Sequence, residues 1–153
     1  MRLTAYTDYS LRVLIRLALE PDELATIAEI AAVYDISEHH LMKVVHELGR
    51  AGYVETLRGR GGGLRLARRP AQINVGEVVR RMEPDFALAV CFRESEHCAI
   101  ESSCSLNRVL EEALDAFMQV LNAYTLADLV KRPKALATLL TPGRLPTRAK
   151  GAH

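Results

Sequence analysis

Residues 26–66 read TIAEIAAVYDISEHHLMKVVHELGRAGYVETLRGRGGGLRL, and the predicted fold follows from this segment. Thr26 and Glu29 form a capping-box motif, which predicts that a short helix begins here. After a turn, Ser37 is a good N-cap for a second helix, whose leucines and valines recur at helical spacing. Gly52 ends that helix, because glycine is favoured just beyond a helix C-terminus.

A two-stranded ribbon is predicted directly after these two helices. Residues 53–57 alternate and are rich in strand-forming types, residues 58–63 form a flexible glycine-rich tip, and residues 64–66 form the return strand. A helix-turn-helix followed by such a ribbon is the order of a winged helix-turn-helix. We therefore predict a mainly α fold with a small β-ribbon.

Further helices are predicted on both sides of this unit. Residues 7–19 form an amphipathic helix, residues 74–82 form a short helix, and a long helix begins near Ser105. Its apolar stripe consists of Leu106, Val109, Leu110, Ala113, Phe117, Val120, Leu121 and Tyr124. Such a stripe suits packing against a second copy of the chain, so we predict a dimerisation helix; the alternative is a face that packs within its own chain. Thr125 and Asp128 cap a short final helix.

The net charge of +1 hides a separation of basic and acidic segments. Between residues 50 and 81 there are eight Arg and two acidic residues, whereas between residues 82 and 115 there are eight acidic residues and two Arg. The basic segment suits a polyanion such as DNA. The alternative is two solvated faces of opposite sign.

The second helix of a helix-turn-helix enters the major groove of DNA with its N-terminal residues. Those residues here are Ser37, Glu38, His39, His40, Met42 and Lys43. His39 and His40 can exchange hydrogen bonds with bases, and Lys43 can reach a guanine or a phosphate, although each alone could be plain surface. In the ribbon tip, Arg58 and Arg60 are followed by glycines, so we expect close backbone approach to a phosphate while both side chains enter a minor groove.

The glycine-rich tip is not predicted to bind a nucleotide. The sequence has neither the GxxxxGK[ST] motif nor a GxGxxG motif between a strand and a helix. It also shows no acid/base pair beside a nucleophile, so we do not expect an enzyme.

All three cysteines lie in one short segment with the spacing C-x6-C-x5-C, as Cys91, Cys98 and Cys104. Clustered thiols suggest metal ligands, and three cysteines cannot all pair as disulfides. The segment lacks the CxxC pairs of structural zinc sites, so its long spacing favours an iron–sulfur cluster. A fourth ligand must then come from another residue type, another subunit or an exogenous molecule.

These features divide the chain into four regions. Residues 1–83 are predicted to be a winged helix-turn-helix DNA-binding domain, and residues 84–104 an irregular loop that bears the cysteines. Residues 105–131 hold the dimerisation helix and the short final helix, and residues 132–153 a flexible tail. No run of 18 or more apolar residues and no signal-peptide cleavage site is visible, so we expect a cytoplasmic protein.

Several motifs together resemble a known family. They are the opening Met1–Thr4, Tyr6-Thr-Asp-Tyr-Ser10, the ribbon tip Arg58–Gly63, Val75–Val79, Cys91-Phe92 with the spacing to Cys98 and Cys104, and Tyr124–Leu129. They resemble the Rrf2-type transcription regulators, and within them the nitric-oxide-sensing NsrR branch, from Met1 to about Val130.

The resemblance implies a homodimeric repressor that holds an iron–sulfur cluster, with [4Fe–4S] favoured over [2Fe–2S], through Cys91, Cys98 and Cys104. Nitric oxide would react with the cluster and release the DNA. The fourth ligand in this branch is an Asp of the opening helix given by the partner subunit, and Asp8 matches it. Relatives that govern cluster assembly have a His shortly after the third cysteine, where this chain has Asn107.

Other interpretations stay open at this point. Asp8 could simply pair with Arg12 one turn later, and the fourth ligand could be Glu96, His97, Glu101 or a thiol or water from solution. The whole protein could be a cluster-free thiol redox regulator of the same fold, in which a cysteine is oxidised directly. It could also be an iron–sulfur electron-transfer protein or enzyme, although a basic ribbon would have no role there.

Overall fold

Seven α-helices and one two-stranded ribbon form the part of the chain that the structure describes, residues 2–89, 92 and 104–140 of a computed structural model. The helices are α1 (Ala5–Leu19), α2 (Ile27–Tyr34), α3 (Glu38–Arg50), α4 (Val75–Met82), α5 (Ser105–Asn122), α6 (Leu126–Leu129) and α7 (Pro133–Leu139). The strands are β1 (Val54–Leu57) and β2 (Gly63–Leu66). None of the described helices is long and apolar enough to cross a membrane.

The predicted helix-turn-helix is formed by α2 and α3. The backbone N–H of Thr26 donates to Glu29 Oε2 at 2.6 Å, and the N–H of Glu29 donates to Thr26 Oγ1 at 3.2 Å, so the predicted capping box is confirmed. The hydrogen bonds that Glu29 Oε2 accepts from the N–H and the hydroxyl of Thr26 lower the pKa of Glu29, because they favour its ionised form. Asp35 makes the turn in the left-handed region, at φ 52°. Ser37 lies at the N-cap of α3, but its side chain makes no capping hydrogen bond.

The ribbon is antiparallel and pairs Val54 with Leu66 and Leu57 with Gly63. A short bridge widens it, because Ala25 and Leu64 exchange two backbone hydrogen bonds at 3.1 and 2.8 Å. The segment between α1 and α2 is therefore tied to β2. This bridge fixes the ribbon beside the helix-turn-helix.

One hydrophobic core joins α1–α4, the ribbon and α6. Its largest fully buried side chains include Leu14, Ile30, Leu41, Leu48, Ile73 and Leu126. Leu126 belongs to α6, and its N–H donates to the carbonyl of Ile73 at 2.8 Å. The sequence groups α6 with the long helix, whereas in the structure Leu126 of α6 packs in the core of the N-terminal domain.

Helix α5 has a different environment, because none of its 18 residues is buried in the described structure. Leu106, Val109 and Val120 are each more than half exposed. The helix contacts α4 through Asn122, whose carbonyl accepts a hydrogen bond from Asn74 Nδ2 at 2.7 Å. A Cβ on Gly76 would lie 2.0 Å from Asn122 Oδ1, so only glycine lets the two helices approach this closely.

The prediction of a flexible tail from residue 132 is wrong for residues 133–139, which form α7. Pro133 occupies the first turn of this helix, where its missing N–H has no cost, and Lys, Ala and Leu are strong helix formers. Consequently α6 is not the last helix. Residues 141–153 lie outside the described residues.

Candidate nucleic-acid interface and metal ligands

The predicted base-reading residues lie together at the exposed start of α3. Ser37, His39, His40 and Lys43 are all exposed, and the rings of His39 and His40 are 6.3 Å apart. The opposite side of α3 packs into the core, so the helix has one fixed orientation. Tyr6 of α1 adds to this, because its hydroxyl donates to the carbonyl of Lys43 at 3.2 Å.

Sequence reasoning missed two residues that extend this face. His46 and Arg50 follow Met42 at helical spacing and are also exposed. Open cavities of about 460 and 470 Å³ lie on the two sides of Met42 and His46, and Arg50 and Thr56 line the first of them. Helical periodicity from His39 would have found His46, because residues seven apart share a face.

The ribbon tip places Arg58 and Arg60 in solvent. Neither forms an ion pair with any residue that the structure describes, whereas Arg65 on β2 is paired with Glu55 across the ribbon. The tip needs its glycines: Gly59 has φ 106°, a region that other residues rarely adopt. The two tip arginines are thus free to meet a polyanion.

Not every arginine of the basic segment is available in this way. The Arg68 guanidinium lies 5.2 Å from the centre of the Tyr53 ring and donates to the carbonyl of Ala51 at 3.4 Å. It therefore supports the C-terminal end of α3. Burial raises the pKa of the Tyr53 phenol, and Arg68 opposes that shift.

Of the three predicted cysteine ligands, the structure describes one. Cys104 is a free, half-buried thiol at the N-cap position of α5, and its side chain makes no capping bond. Cys91 and Cys98 lie outside the described residues, as do the alternative ligands Glu96, His97 and Glu101. Within the described ranges, no three His, Cys, Asp or Glu side chains come together as a metal site.

The proposed fourth ligand Asp8 lies on α1 and is half exposed. Its Oδ2 is 2.9 Å from Arg12 Nε, which is the alternative pairing considered above. Asp8 also borders an open cavity of about 570 Å³ next to the turn between α2 and α3. Asn107, which stands where some relatives have a His, donates to Glu111 within α5 at 3.1 Å.

Comparison with known families decides between the classes of protein considered above. Residues 3–132 match the Rrf2 family, which is described as an iron-dependent transcriptional regulator. This chain belongs to the Rrf2 family. It is therefore a DNA-binding transcription regulator rather than an enzyme, and the resemblance found from its motifs is confirmed.

Individual relatives of this Rrf2 protein agree with that assignment. The transcriptional regulator NsrR of Bacillus subtilis (strain 168) is 56% identical over 142 residues, which cover 92% of this chain and 97% of the relative. NsrR of Geobacillus kaustophilus is 51% identical over 146 residues, covering 94% and 99% of the two chains.

A solved structure supports the fold prediction. CymR, the global cysteine regulator of B. subtilis, superposes with a TM-score of 0.67 at 29% identity, covering 86% of this chain and 97% of CymR. The predicted winged helix-turn-helix is confirmed.

A buried carboxylate next to the cysteine segment was also missed. Glu83 follows α4, and its Oε2 accepts hydrogen bonds from Thr7 Oγ1 at 2.6 Å, the Thr4 N–H at 3.1 Å and Thr4 Oγ1 at 3.2 Å. It thereby ties the beginning of α1, which carries Asp8, to the residue that precedes Pro84. Nothing in the sequence distinguishes Glu83 from the exposed acids around it.

Proposed function

We propose that this Rrf2-family protein is a homodimeric repressor that senses nitric oxide through an iron–sulfur cluster and releases its operator DNA in response. The main support is the similarity to NsrR regulators over more than nine-tenths of the chain, together with the C-x6-C-x5-C segment. The family's description as iron-dependent agrees with an iron centre. The activity of the protein would then be a change in DNA affinity.

The ligands in this proposal are Cys91, Cys98 and Cys104 of one subunit and Asp8 of the partner subunit, with a [4Fe–4S] cluster favoured. The described residues fit this role. Cys104 precedes an 18-residue helix whose first turn contains no acidic residue, so the backbone N–H groups there favour negative charge. Asp8 is about 45% exposed and has Arg12 as its ion-pair partner, so a second subunit can reach it.

When bound, the cluster supplies iron that reacts with nitric oxide, and a carboxylate is its weakest protein ligand. The contribution of the chain is to position that carboxylate. Asp8 lies on α1, and α1 packs against α3, the recognition helix. A change in the partners of Asp8 therefore acts on the helix against which the recognition helix packs.

Dimerisation is proposed through α5. Leu106, Val109, Val120 and Tyr124 of its apolar stripe are exposed in the described structure, whereas Leu110, Phe117 and Leu121 are partly buried. Large exposed apolar patches mark association surfaces, and winged-helix regulators use two-fold symmetry to read two half-sites. A dimer would also bring Asp8 of the partner subunit to the cysteine segment.

For DNA binding, we propose that Ser37, His39, His40 and Lys43 enter the major groove while Arg58 and Arg60 enter the neighbouring minor groove. The support is their shared exposure at the start of α3 and at the ribbon tip. Half-sites of the operator should be about one helical turn apart, because the two recognition helices are related by two-fold symmetry.

The cluster and its response are tested by anaerobic purification. Iron and sulfide are quantified, and operator affinity is measured before and after nitric oxide. We expect a brown protein that binds its operator and loses at least about tenfold in affinity on treatment, a change typical of ligand switches. A colourless protein without iron, whose DNA affinity follows thiol oxidation, would establish the thiol regulator instead. Loss of iron in Cys98→Ser serves as the ligand control.

The DNA interface is tested by replacing Arg58 and Arg60 with Ala and measuring operator affinity as a function of salt. Each arginine charge lost from the DNA interface should reduce the salt slope by about one, because fewer counterions are released on binding. Arg65→Ala is the matched control, because that arginine is already paired with Glu55. If the tip and control variants changed the affinity and the salt slope equally, Arg58 and Arg60 would not be specific contacts of the DNA.

A further inference from the structure

An open groove lies between the recognition helix α3 and the first strand of the ribbon, with a volume of about 460 Å³. Met42, His46 and Arg50 follow one another at intervals of four residues and line the α3 side of the groove. Thr56 of β1 lines the other side. All four residues are exposed. The groove is therefore open to a large partner along the strand that leads to the ribbon tip.

The groove lies where the two proposed DNA contacts require a strand of DNA to pass. The major and minor grooves of a duplex are separated by a sugar-phosphate backbone. When α3 enters a major groove and the tip residues Arg58 and Arg60 enter the neighbouring minor groove, the strand between them crosses the surface between α3 and the ribbon. The groove between α3 and β1 is on that path.

The side chains of the groove suit a phosphodiester. The Arg50 side chain is 65% exposed, and both of its hydrogen bonds to Glu47 use Nη1, at 3.1 and 3.4 Å. An ion pair this exposed is weak, so a phosphate can replace Glu47 as the partner of Arg50. Glu47 itself lines the cavity next to Tyr6 instead. The imidazole of His46 and the hydroxyl of Thr56 add further hydrogen-bond donors.

Gly49 also lines the groove, although the described part of its own chain does not require a glycine there. Its φ is outside the left-handed region, and a Cβ would lie 3.7 Å from the carbonyl oxygen of Val54, which is an ordinary contact. Glycine within a helix lowers the stability of that helix relative to alanine. A glycine without an internal reason fits a position where an external backbone approaches closely.

We propose that the groove between α3 and β1 is a phosphate-binding site for the DNA strand that passes between the recognition helix and the ribbon tip. Arg50, His46 and Thr56 donate hydrogen bonds to the phosphate oxygens, and Gly49 lets the strand approach α3. This inference rests on the proposed placement of α3 and the tip on DNA, and it is independent of the iron centre. Phosphate contacts carry no sequence information, so the site fixes the register of α3 on the duplex.

The first test neutralises single phosphates. The probe is a duplex selected from a random library by the anaerobically purified protein, with one uncharged methylphosphonate linkage placed at each position in turn. Affinity is measured by fluorescence anisotropy at fixed salt. We expect one linkage in each half-site, between the two grooves that the protein enters, to lower the affinity of the parent at least about tenfold, because charge-assisted hydrogen bonds are lost.

The same linkage should change the affinity of the double variant Arg50→Ala/His46→Ala less than about twofold, because that protein has already lost the contact. Arg80→Ala removes an exposed arginine of α4 and is the matched control. It should lose as much affinity as the parent at this linkage.

The second test fills the groove. Gly49→Leu replaces glycine by a strong helix former, so the midpoint of thermal unfolding should be no lower than that of the parent. The operator affinity should nevertheless fall at least about tenfold, because the new side chain occupies the space of the strand. A folded Gly49→Leu protein that binds the operator as tightly as the parent overturns the proposal. If this variant fails to fold, the methylphosphonate scan decides alone.

The outcomes separate the phosphate site from the proposed function. A linkage that weakens the parent and the double variant equally overturns the site, and so does a scan without any effect between the two grooves. Arg58→Ala and Arg60→Ala are measured in parallel. If they bind as tightly as the parent while the linkage effect still depends on Arg50 and His46, the proposed tip contacts are wrong and the phosphate site is supported. Loss of the nitric-oxide response or of iron would refute the proposed sensing and would leave both tests unchanged.

Discussion

The winged helix-turn-helix unit and helix α5 differ in how much apolar surface one chain can bury. Leu14, Leu41 and Leu48 in the unit are completely buried, whereas Leu106 and Val109 in α5 are 57% and 53% exposed. Burial of apolar side chains is the main favourable contribution to folding. One chain therefore buries the core of its winged helix-turn-helix unit but leaves apolar side chains of α5 exposed.

The two regions are nevertheless firmly connected at one end. Asn122 at the end of α5 is bound to Asn74, and α6 immediately returns to the core through Leu126. The other end of α5 begins after Cys104 and lies about 27 Å away, because a helix rises about 1.5 Å per residue. In the proposed function, α5 thus joins a cluster ligand to the domain that reads DNA.

The largest effect is expected for Leu14→Ala, which tests the core of the winged helix-turn-helix unit. Leu14 lies in α1 and is fully buried, so its truncation leaves a cavity among the other core side chains. We expect the free energy of unfolding to fall by about 2–5 kcal/mol in denaturant titrations at fixed protein concentration. Leu106→Ala in α5 is the matched control and, at protein concentrations where the chain is monomeric, should change the free energy of unfolding by no more than about 0.5 kcal/mol. Equal losses would show that α5 is buried within its own chain.

Val109→Asp tests whether the exposed apolar side chains of α5 form the subunit interface. A charge in the middle of the exposed apolar stripe should weaken subunit association about 100-fold, because the carboxylate would be desolvated at the interface. Analytical ultracentrifugation over a range of concentrations measures the dissociation constant. Gln119→Glu adds the same charge on another face of α5 and should leave association unchanged. If the Val109→Asp protein remained as dimeric as the parent, the apolar stripe of α5 would not be the subunit interface.

Much of the difference between the winged helix-turn-helix unit and α5 could be predicted from the sequence, because it depends on residues that are close together along the chain. The capping box at Thr26, the glycines of the ribbon tip and the stripe of α5 each fix a structure within a few residues. The position of α6 could not be predicted, since Leu126 meets Ile73 only after the chain has folded. Helix α7 was missed because the basic composition of the following tail outweighed its short run of helix formers.

The candidate site shows the same limit. Residues predicted from helical position, such as His39 and Lys43, lie where expected at the exposed start of α3, although their contacts with DNA remain predictions. The hydrogen bonds of Glu83 with Thr7 join residues 76 positions apart, and no spacing rule links such residues. Likewise, the contact of Arg12 with Tyr34 depends on how α1 packs beside α2.

Glu83→Ala tests the buried hydrogen bonds that connect α1 to the end of α4 within the winged helix-turn-helix unit. Its removal takes the shared acceptor from the Thr4 N–H and from the hydroxyls of Thr4 and Thr7, whose contact with each other at 3.1 Å remains, so we expect a loss of about 1–3 kcal/mol in the free energy of unfolding. Thermal and denaturant unfolding both measure it. Glu77→Ala, an exposed acid of α4, should cost no more than about 0.5 kcal/mol. A Glu83→Ala protein as stable as this control would mean that the three hydrogen bonds contribute nothing net.

The smallest effect is expected for Asp8→Asn, measured on the stability of the cluster-free protein. Asp8 and Arg12 are 45% and 43% exposed, and a solvent-exposed ion pair one helical turn apart contributes about 0.5 kcal/mol or less. Glu47→Gln breaks the comparable pair of Glu47 with Arg50 and should match it within error. Because folding scarcely depends on the Asp8 carboxylate, any large loss of iron in Asp8→Asn would be an effect on ligation itself. A destabilisation well above 1 kcal/mol would instead show that Asp8 stabilises the fold of its own chain. Loss of iron in Asp8→Asn could then no longer be taken as evidence that Asp8 is a ligand.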